Sequence, residues 1–305
     1  MEDNQHNLEI IGDGNWKVYC KHATFQVSQE AISAAGAQIL TPHMNPRVRY
    51  RDTKHIFYHD ADATRIILNI IHHNSEKVPL DLSAEALLHV AVVASDARCV
   101  PILGGYGRVW LYRAIGKATA VFDLARLLRC ADLLIMNDLV AVFSQRLVCR
   151  NAAMFKHTTI RSNDLNSWLE DSLLDKLERN RQIILRRTEI AIWDLYENLC
   201  KCQHATAREF ARGYFTTLTR EGILPGTESF KSKCYAEICE IAARLPPKVY
   251  YPPGKCTAQR NCDVCNRGPI EQVAYLSQKL TLCVSDNSLQ LCRWCARDLP
   301  CTEHP

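Results

Sequence analysis

The sequence predicts an α+β amino-terminal domain, a small sheet capped by helices, followed by an all-α region and a small cysteine-rich tail. Three observations carry this. Strand-like segments with turn signals end by Tyr58. From Val109 to Leu245 apolar residues recur at intervals of three and four, the helical period. Seven of the 15 cysteines lie after Tyr250, beyond the breaker cluster Pro246-Pro247 and Pro252-Pro253-Gly254. At about 150 residues per domain the length alone suggests two domains. The cysteine shift adds a third region, giving 5–103, 104–247 and 248–305.

Composition narrows the class. With 23% charged and 47% hydrophobic residues, the 305-residue chain is an ordinary globular one. A net charge of +4 is too small to imply nucleic acid by itself. Met1–Asn15 is polar and acidic, with no basic stretch leading into an apolar one, so no secretory signal is visible. No uncharged apolar run approaches the ~20 residues of a membrane helix. Ala86–Ala94 and Ala131–Phe143 are expected to be buried helices. An odd number of cysteines without a signal points to a reducing, intracellular compartment, cytoplasm or nucleus.

The elements follow in order. Leu8–Ile11 has strand character, and Gly12-Asp13-Gly14-Asn15 is a turn signal. Trp16–Cys20 and Ala23–Val27 read as a hairpin. Gln29–Leu40 reads as a helix, with Gly36 inside it for close packing. The basic stretch Thr41–Lys54 reads as a solvated loop. His55–Tyr58 is a short strand, and Asp60 and Asp62 stand where helix-capping acids belong, before an apolar helix Thr64–His72. His72-His73 reads as a helix-end pair, one buried and one solvated. Ser83 opens a helix over Leu87–Ala97. Gly104-Gly105-Tyr106-Gly107 reads as a flexible linker.

The helical region begins with the stripe Phe122, Ala125, Leu128, Ala131, Ile135, Leu139 and Val142. A long helix over Leu177–Cys202 follows, with Ile183, Ile190, Trp193 and Leu199 near one face. Arg208–Glu221 is another, with Gly222 at its carboxyl cap, and Ser229–Leu245 is the last. Lys176, Arg179, Arg181, Arg186 and Arg187 interleave with acids, as on a salt-bridged solvated face. Cys20, Cys99, Cys130, Cys149 and Cys239 read as small buried hydrophobes.

Four blocks resemble the BTB/POZ domain in the version common in fungal BTB-domain proteins. They are Phe25-Gln26-Val27-Ser28; Ile32, Gly36 and Ile39; Ile56 to Asp62 with Ile66-Ile67-Leu68-Asn69-Ile70-Ile71-His72; and Val78-Pro79 with Leu87, Ala91, Asp96 and Cys99. Gly36, Ile39 and Ala97-Arg98 stand where the family has Ser, Phe and Lys-Tyr, which marks a divergent member. The likeness covers about residues 8–103. It extends more weakly to the helix through Leu199, to Gly222-Ile223-Leu224-Pro225, and to Cys301-Thr302-Glu303-His304.

The resemblance implies a core of Phe25, Val27, Ile32, Leu68, Ile71 and Leu87. It also implies a non-enzymatic adaptor that acts by protein–protein interaction and homo- or hetero-oligomerisation. In a dimer the first helices and amino-terminal strands would meet across a two-fold axis. Some family members hand substrates to cullin-type ubiquitin ligases, although no cullin-contact motif is found here.

The tail offers a second reading. Cys262-Asp263-Val264-Cys265 and Cys292-Arg293-Trp294-Cys295 have the ligand spacing of structural zinc sites. Cys256, Cys283, Cys301 and His304 are spare ligands. Twenty-six residues separate the pairs, more than the common ~15–20. Reduced, partly buried cysteines fit equally well. The alternative function is a zinc-stabilised module binding nucleic acid or protein, with Arg260, Arg267, Arg293 and Arg297 contacting phosphate and the BTB-like part oligomerising. No phosphate loop, dinucleotide fingerprint, nucleophile elbow or His-Glu-x-x-His is present, so no enzyme is expected.

Overall fold

The computed structural model describes residues 8–14, 16–20, 23–37, 55–57, 60–155, 159–160, 163–164, 169–201, 205–244, 269–285 and 291–297. These residues are mostly helical, with a small mixed sheet near the amino-terminal end. The chain divides into two compact units, Met1–Phe143 and Ser144–Pro305.

In the first unit, β2 (Trp16–Cys20) and β3 (Ala23–Val27) pair antiparallel from Trp16↔Val27 to Cys20↔Ala23. β1 (Leu8–Ile10) joins β3 in parallel, and β4 (His55–Phe57) joins β2 in parallel, giving the order β1-β3-β2-β4. Alternation sorts the faces, because successive side chains of a strand point to opposite sides. Val18, Cys20, Ala23, Phe25 and Val27 share one buried face.

α1 (Gln29–Ala34) starts at Ser28, whose hydroxyl accepts from Ala31 N. It ends sooner than the sequence suggested. Gly36 has φ +68°, and Gly36 N and Ala37 N donate to Ser33 O and Ile32 O. Nothing lies within 4 Å of a Cβ placed there, so this glycine serves a left-handed helix stop and not close packing. α2 (Ala61–Ile71) is capped by Asp60, whose carboxylate accepts from Ala63 N at 2.8 Å. Nearly all of α2 is buried, as befits a helix covered on both sides; it touches β3 and α3. α3 (Ala84–Asp96) starts at the Ser83 cap and packs on α2 and α5.

Gly104 to Gly107 is not a linker. It forms the first turn of α4 (Gly104–Lys117), directly after a 3₁₀ turn over Val100–Leu103. A Cβ on Gly107 would sit 3.0 Å from Leu134 Cδ1, so close packing explains that glycine. α4 is stitched back to the segment before α3: Trp110 Nε1 donates to Pro79 O at 2.8 Å and Arg113 Nη1 to Leu80 O at 2.9 Å. α5 (Val121–Leu133) covers α3. The first compact unit therefore runs past residue 103, where the sequence placed a boundary.

The stripe from Phe122 to Val142 is broken. α5 stops at Leu133, and α6 (Asn137–Arg150) begins after Ile135, which is 55% exposed at φ +60°. Ile135 N and Met136 N close the helix end on Asp132 O and Ala131 O. A β-branched residue is strained in this backbone region. Ile135→Gly is expected to stabilise the first unit by about 1 kcal/mol, read as a raised melting temperature. An unchanged or lower value would show the strain to be absent.

In the second unit, β5 (Thr159–Ile160) and β6 (Asn163–Asp164) form a two-stranded ladder that the helical reading missed. α7 (Asp171–Lys201) runs through the unit and touches α8 (Ala205–Arg220), α10 (Tyr235–Ala243), α11 (Pro269–Val284) and α12 (Arg293–Ala296). Its buried stripe is Leu177, Ile184, Thr188, Ile192, Leu195 and Leu199; Ile190 is exposed. Gly222 caps α8 as expected, with φ +68° and Ile223 N bonded to Leu218 O at 2.9 Å.

The expected helix Ser229–Leu245 is two, α9 (Glu228–Lys231) and α10. Cys234 caps α10, and the Glu237 carboxylate accepts from Cys234 N at 2.8 Å. The described tail residues dock on this unit. Leu276, Leu280, Leu291 and Ala296 are buried, and Tyr235 Oη donates to Leu280 O.

Candidate functional site

The site starts from the alternation of β1. Glu9 pairs with Phe25 and so lies on the helix side of the sheet. There its carboxylate meets Arg65 Nε at 2.6 Å, and the same guanidinium bonds Asp62 and sits 5.6 Å over the Phe25 ring. The Glu9 hydrogen bond holds Arg65 even more firmly protonated than usual. Leu8 and Ile10 therefore fall on the opposite side, at 49% and 64% exposure, on an edge strand. Two exposed aliphatic side chains beside a strand edge that is unpaired among the described residues form a surface that another chain can cover.

An open cavity of about 1270 Å³ begins just after β1, at Ile11. Its walls are the Ile11–Gly14 loop, α1, the end of α2, and Ile102 with Tyr106. Two glycines let the loop come this close. A Cβ on Gly12 would lie 2.3 Å from His72 Cδ2, and one on Gly14 would lie 2.1 Å from Val27 O.

His72 joins the walls. Its Nδ1 is 2.8 Å from Leu68 O, and its Nε2 accepts from Ser28 N at 2.9 Å. A carbonyl can only accept, so the proton is assigned to Nδ1. Asn74 Nδ2 donates to Ile11 O at 3.0 Å and to buried Asn69 Oδ1 at 3.2 Å. Asn74, braced by Asn69, thus ties the loop to the end of α2, and His72 ties that end to the start of α1. His72 is half-buried and His73 exposed, at φ +58° just beyond the helix end. Asp13 and Glu30 bring carboxylates to the rim. The arrangement offers polar and apolar wall in an open cleft, which suits a polypeptide segment.

All six expected core residues, Phe25, Val27, Ile32, Leu68, Ile71 and Leu87, are buried. The metal candidates are only partly placed. Cys262, Cys265, Cys256, Cys301 and His304 lie outside the described residues, as do Arg260, Arg267 and the whole basic stretch Thr41–Lys54. Cys292 is buried and Cys295 half-buried at the start of α12, and Cys295 N donates to Cys292 Sγ at 3.4 Å. Cys283 is buried on α11, its thiol donating to Lys279 O at 3.3 Å. Among the described residues no three His, Cys, Asp or Glu side chains come together as a metal set.

Sequence reasoning missed a thiol neighbourhood. Cys149, Cys234, Cys239 and Cys283 come from α6, the α10 cap, α10 and α11. Burial, and then the nearby Cys239 and Cys234, push the Cys149 thiol up to about 12. Burial likewise raises Cys239 and Cys283. Such thiols stay protonated and poorly nucleophilic near neutral pH. Their spacing in sequence carries no motif that could have revealed the grouping.

In comparisons with family models, curated proteins and solved structures, nothing matches the chain. Among the described residues no helix is long and apolar enough to cross a membrane.

Proposed function

We propose that this chain is a non-enzymatic, intracellular adaptor whose amino-terminal unit is BTB/POZ-like and associates with a second copy through β1 and α1. One observation carries the reading: Leu8 and Ile10 stand exposed on an edge strand whose following loop lines an open cleft. The order of hairpin, helix, parallel strand and buried helix pair supports it, because the resemblance implies that order. Burying a Leu or Ile side chain contributes about 1.5–3 kcal/mol. A two-fold axis would use each of the two residues twice. Hetero-association with related domains, and delivery of a client to a cullin-type ligase, extend the same reading.

Light scattering on the full chain tests it. The expected mass at micromolar concentration is that of a dimer. Leu8→Asp with Ile10→Asp should shift it to the monomer while leaving the far-ultraviolet circular dichroism unchanged. A wild-type monomer across that range, or a dimer indifferent to both substitutions, would sink the proposal.

A further inference from the structure

A second cleft lies far along the chain from β1, between the carboxyl end of α7 and the face of α8. It has a volume of about 400 Å³ and is lined by Tyr196, Cys200, Arg208, Ala211, Arg212, Phe215 and Thr216. Small-molecule sites begin near ~300 Å³. Two features set it apart.

The first is charge. Among the described residues Arg208 and Arg212 are the only charged ones lining it, one helical turn apart on the same side of α8. Among the described residues neither has an ion pair or hydrogen bond, unlike Arg181 and Arg186 on α7. Asp194, Glu197 and Glu209, the acids nearest in sequence, do not line the cleft. Like charges at this spacing repel, and an anion between them relieves the repulsion.

The second feature is an aromatic run. Trp193 meets Tyr196 edge-on at 5.6 Å, and Tyr196 meets Phe215 at 5.6 Å and 46°. Phe215 remains 36% exposed. Trp193 therefore backs Tyr196, and Phe215 offers a ring surface at the mouth.

We propose that this cleft binds a nucleotide, its phosphate held by Arg208 and Arg212 and its base stacked on Phe215 and Tyr196. Guanidinium groups match phosphate oxygens in paired hydrogen bonds. Base stacking on aromatic side chains tolerates every base, so no particular nucleobase is implied. Most of the lining is exposed, Cys200, Arg208, Arg212, Phe215 and Thr216 among it. A shallow cleft of this kind suits a base laid across a ring better than a phosphorylated tyrosine, which would need a deep well. The shared chemistry covers a free mononucleotide and one nucleotide of a single strand.

Equilibrium binding to the full chain tests the inference, with adenosine monophosphate, a fluorescein-labelled deoxythymidine oligomer and inorganic phosphate as probes. One of the two nucleotide probes should bind saturably. Arg208→Gln with Arg212→Gln should weaken it at least tenfold, and Phe215→Leu at least threefold, with the melting temperature unchanged. Arg208→Lys with Arg212→Lys, which keeps the charges, should retain part of the binding and guards against a folding defect. Tighter binding of the oligomer than of the monophosphate identifies a single strand as the source; equal or weaker binding identifies the mononucleotide. The inference is overturned by absence of binding, by binding that survives the double glutamine change, by inorganic phosphate competing as well as the monophosphate, or by phosphotyrosine competing better.

Discussion

Trp110→Ala should destabilise the amino-terminal unit by about 3–5 kcal/mol, as much as Phe25→Ala. Trp110 is 2% exposed on α4, and its indole N–H reaches Pro79 O at 2.8 Å. The substitution opens a cavity and leaves that carbonyl without its donor. Both variants should lower the midpoint of one shared transition in urea, because α4 and α5 belong to the compact unit of the sheet. A chain ended at Leu103 should then fail to fold, since the α3 face under α5 would be bare. If Trp110→Ala instead lowered only a second, separate transition, the helices after residue 103 would form their own domain.

The Glu178–Arg181 pair on α7 should be the most pH-sensitive part of the second unit. Their side chains are 15% and 10% exposed, and Arg181 Nη2 donates to Glu178 Oε1 at 2.8 Å while Nε donates to Oε2 at 3.0 Å. Gln182 Nε2 and Phe155 N also donate to this carboxylate. Burial opposes its charge, but the bonds from Arg181, Gln182 and Phe155 outweigh that and hold its acidity below the ordinary glutamate range.

Unfolded, the group titrates near ~4.3. Folded, it titrates lower. The stability it supplies is therefore complete above the unfolded value and drains as pH falls through the folded one. Glu178→Gln should cost about 3 kcal/mol at pH 7, because Arg181 is left buried beside a neutral amide. It should also flatten the fall in stability below about pH 5. Urea titrations at several pH values check both. Parallel pH profiles for wild type and variant would show that the pair is uncoupled from folding.

The pair also shows where the periodic pattern misleads. Arg181 was expected on a solvated basic face, whereas it is buried and its other Nη donates to Ala152 O at 3.3 Å. A helix only reveals which side is apolar. On α7 the apolar residues spread widely enough that Ile183 and Ile190 looked like the seam, and the neighbours on Ile184, Thr188 and Ile192 decided otherwise. Similarly, Leu8 and Ile10 read as strand, but nothing local told that β1 would lie parallel on β3 and leave both exposed.

The amino-acid order by itself determined the short-range features: the Trp16–Val27 hairpin, the Asp60 and Ser83 caps and the Gly222 stop. Each depends on neighbours within a few residues or on a repeat of two or 3.6, so its energetics are local. Only the tertiary structure decided the break at Ile135, the helical fate of Gly104–Gly107, the glycine-tight loop against His72 and the docking of the described tail residues. Those depend on side chains that arrive from distant parts of the chain, and close packing among them is not encoded in any single window.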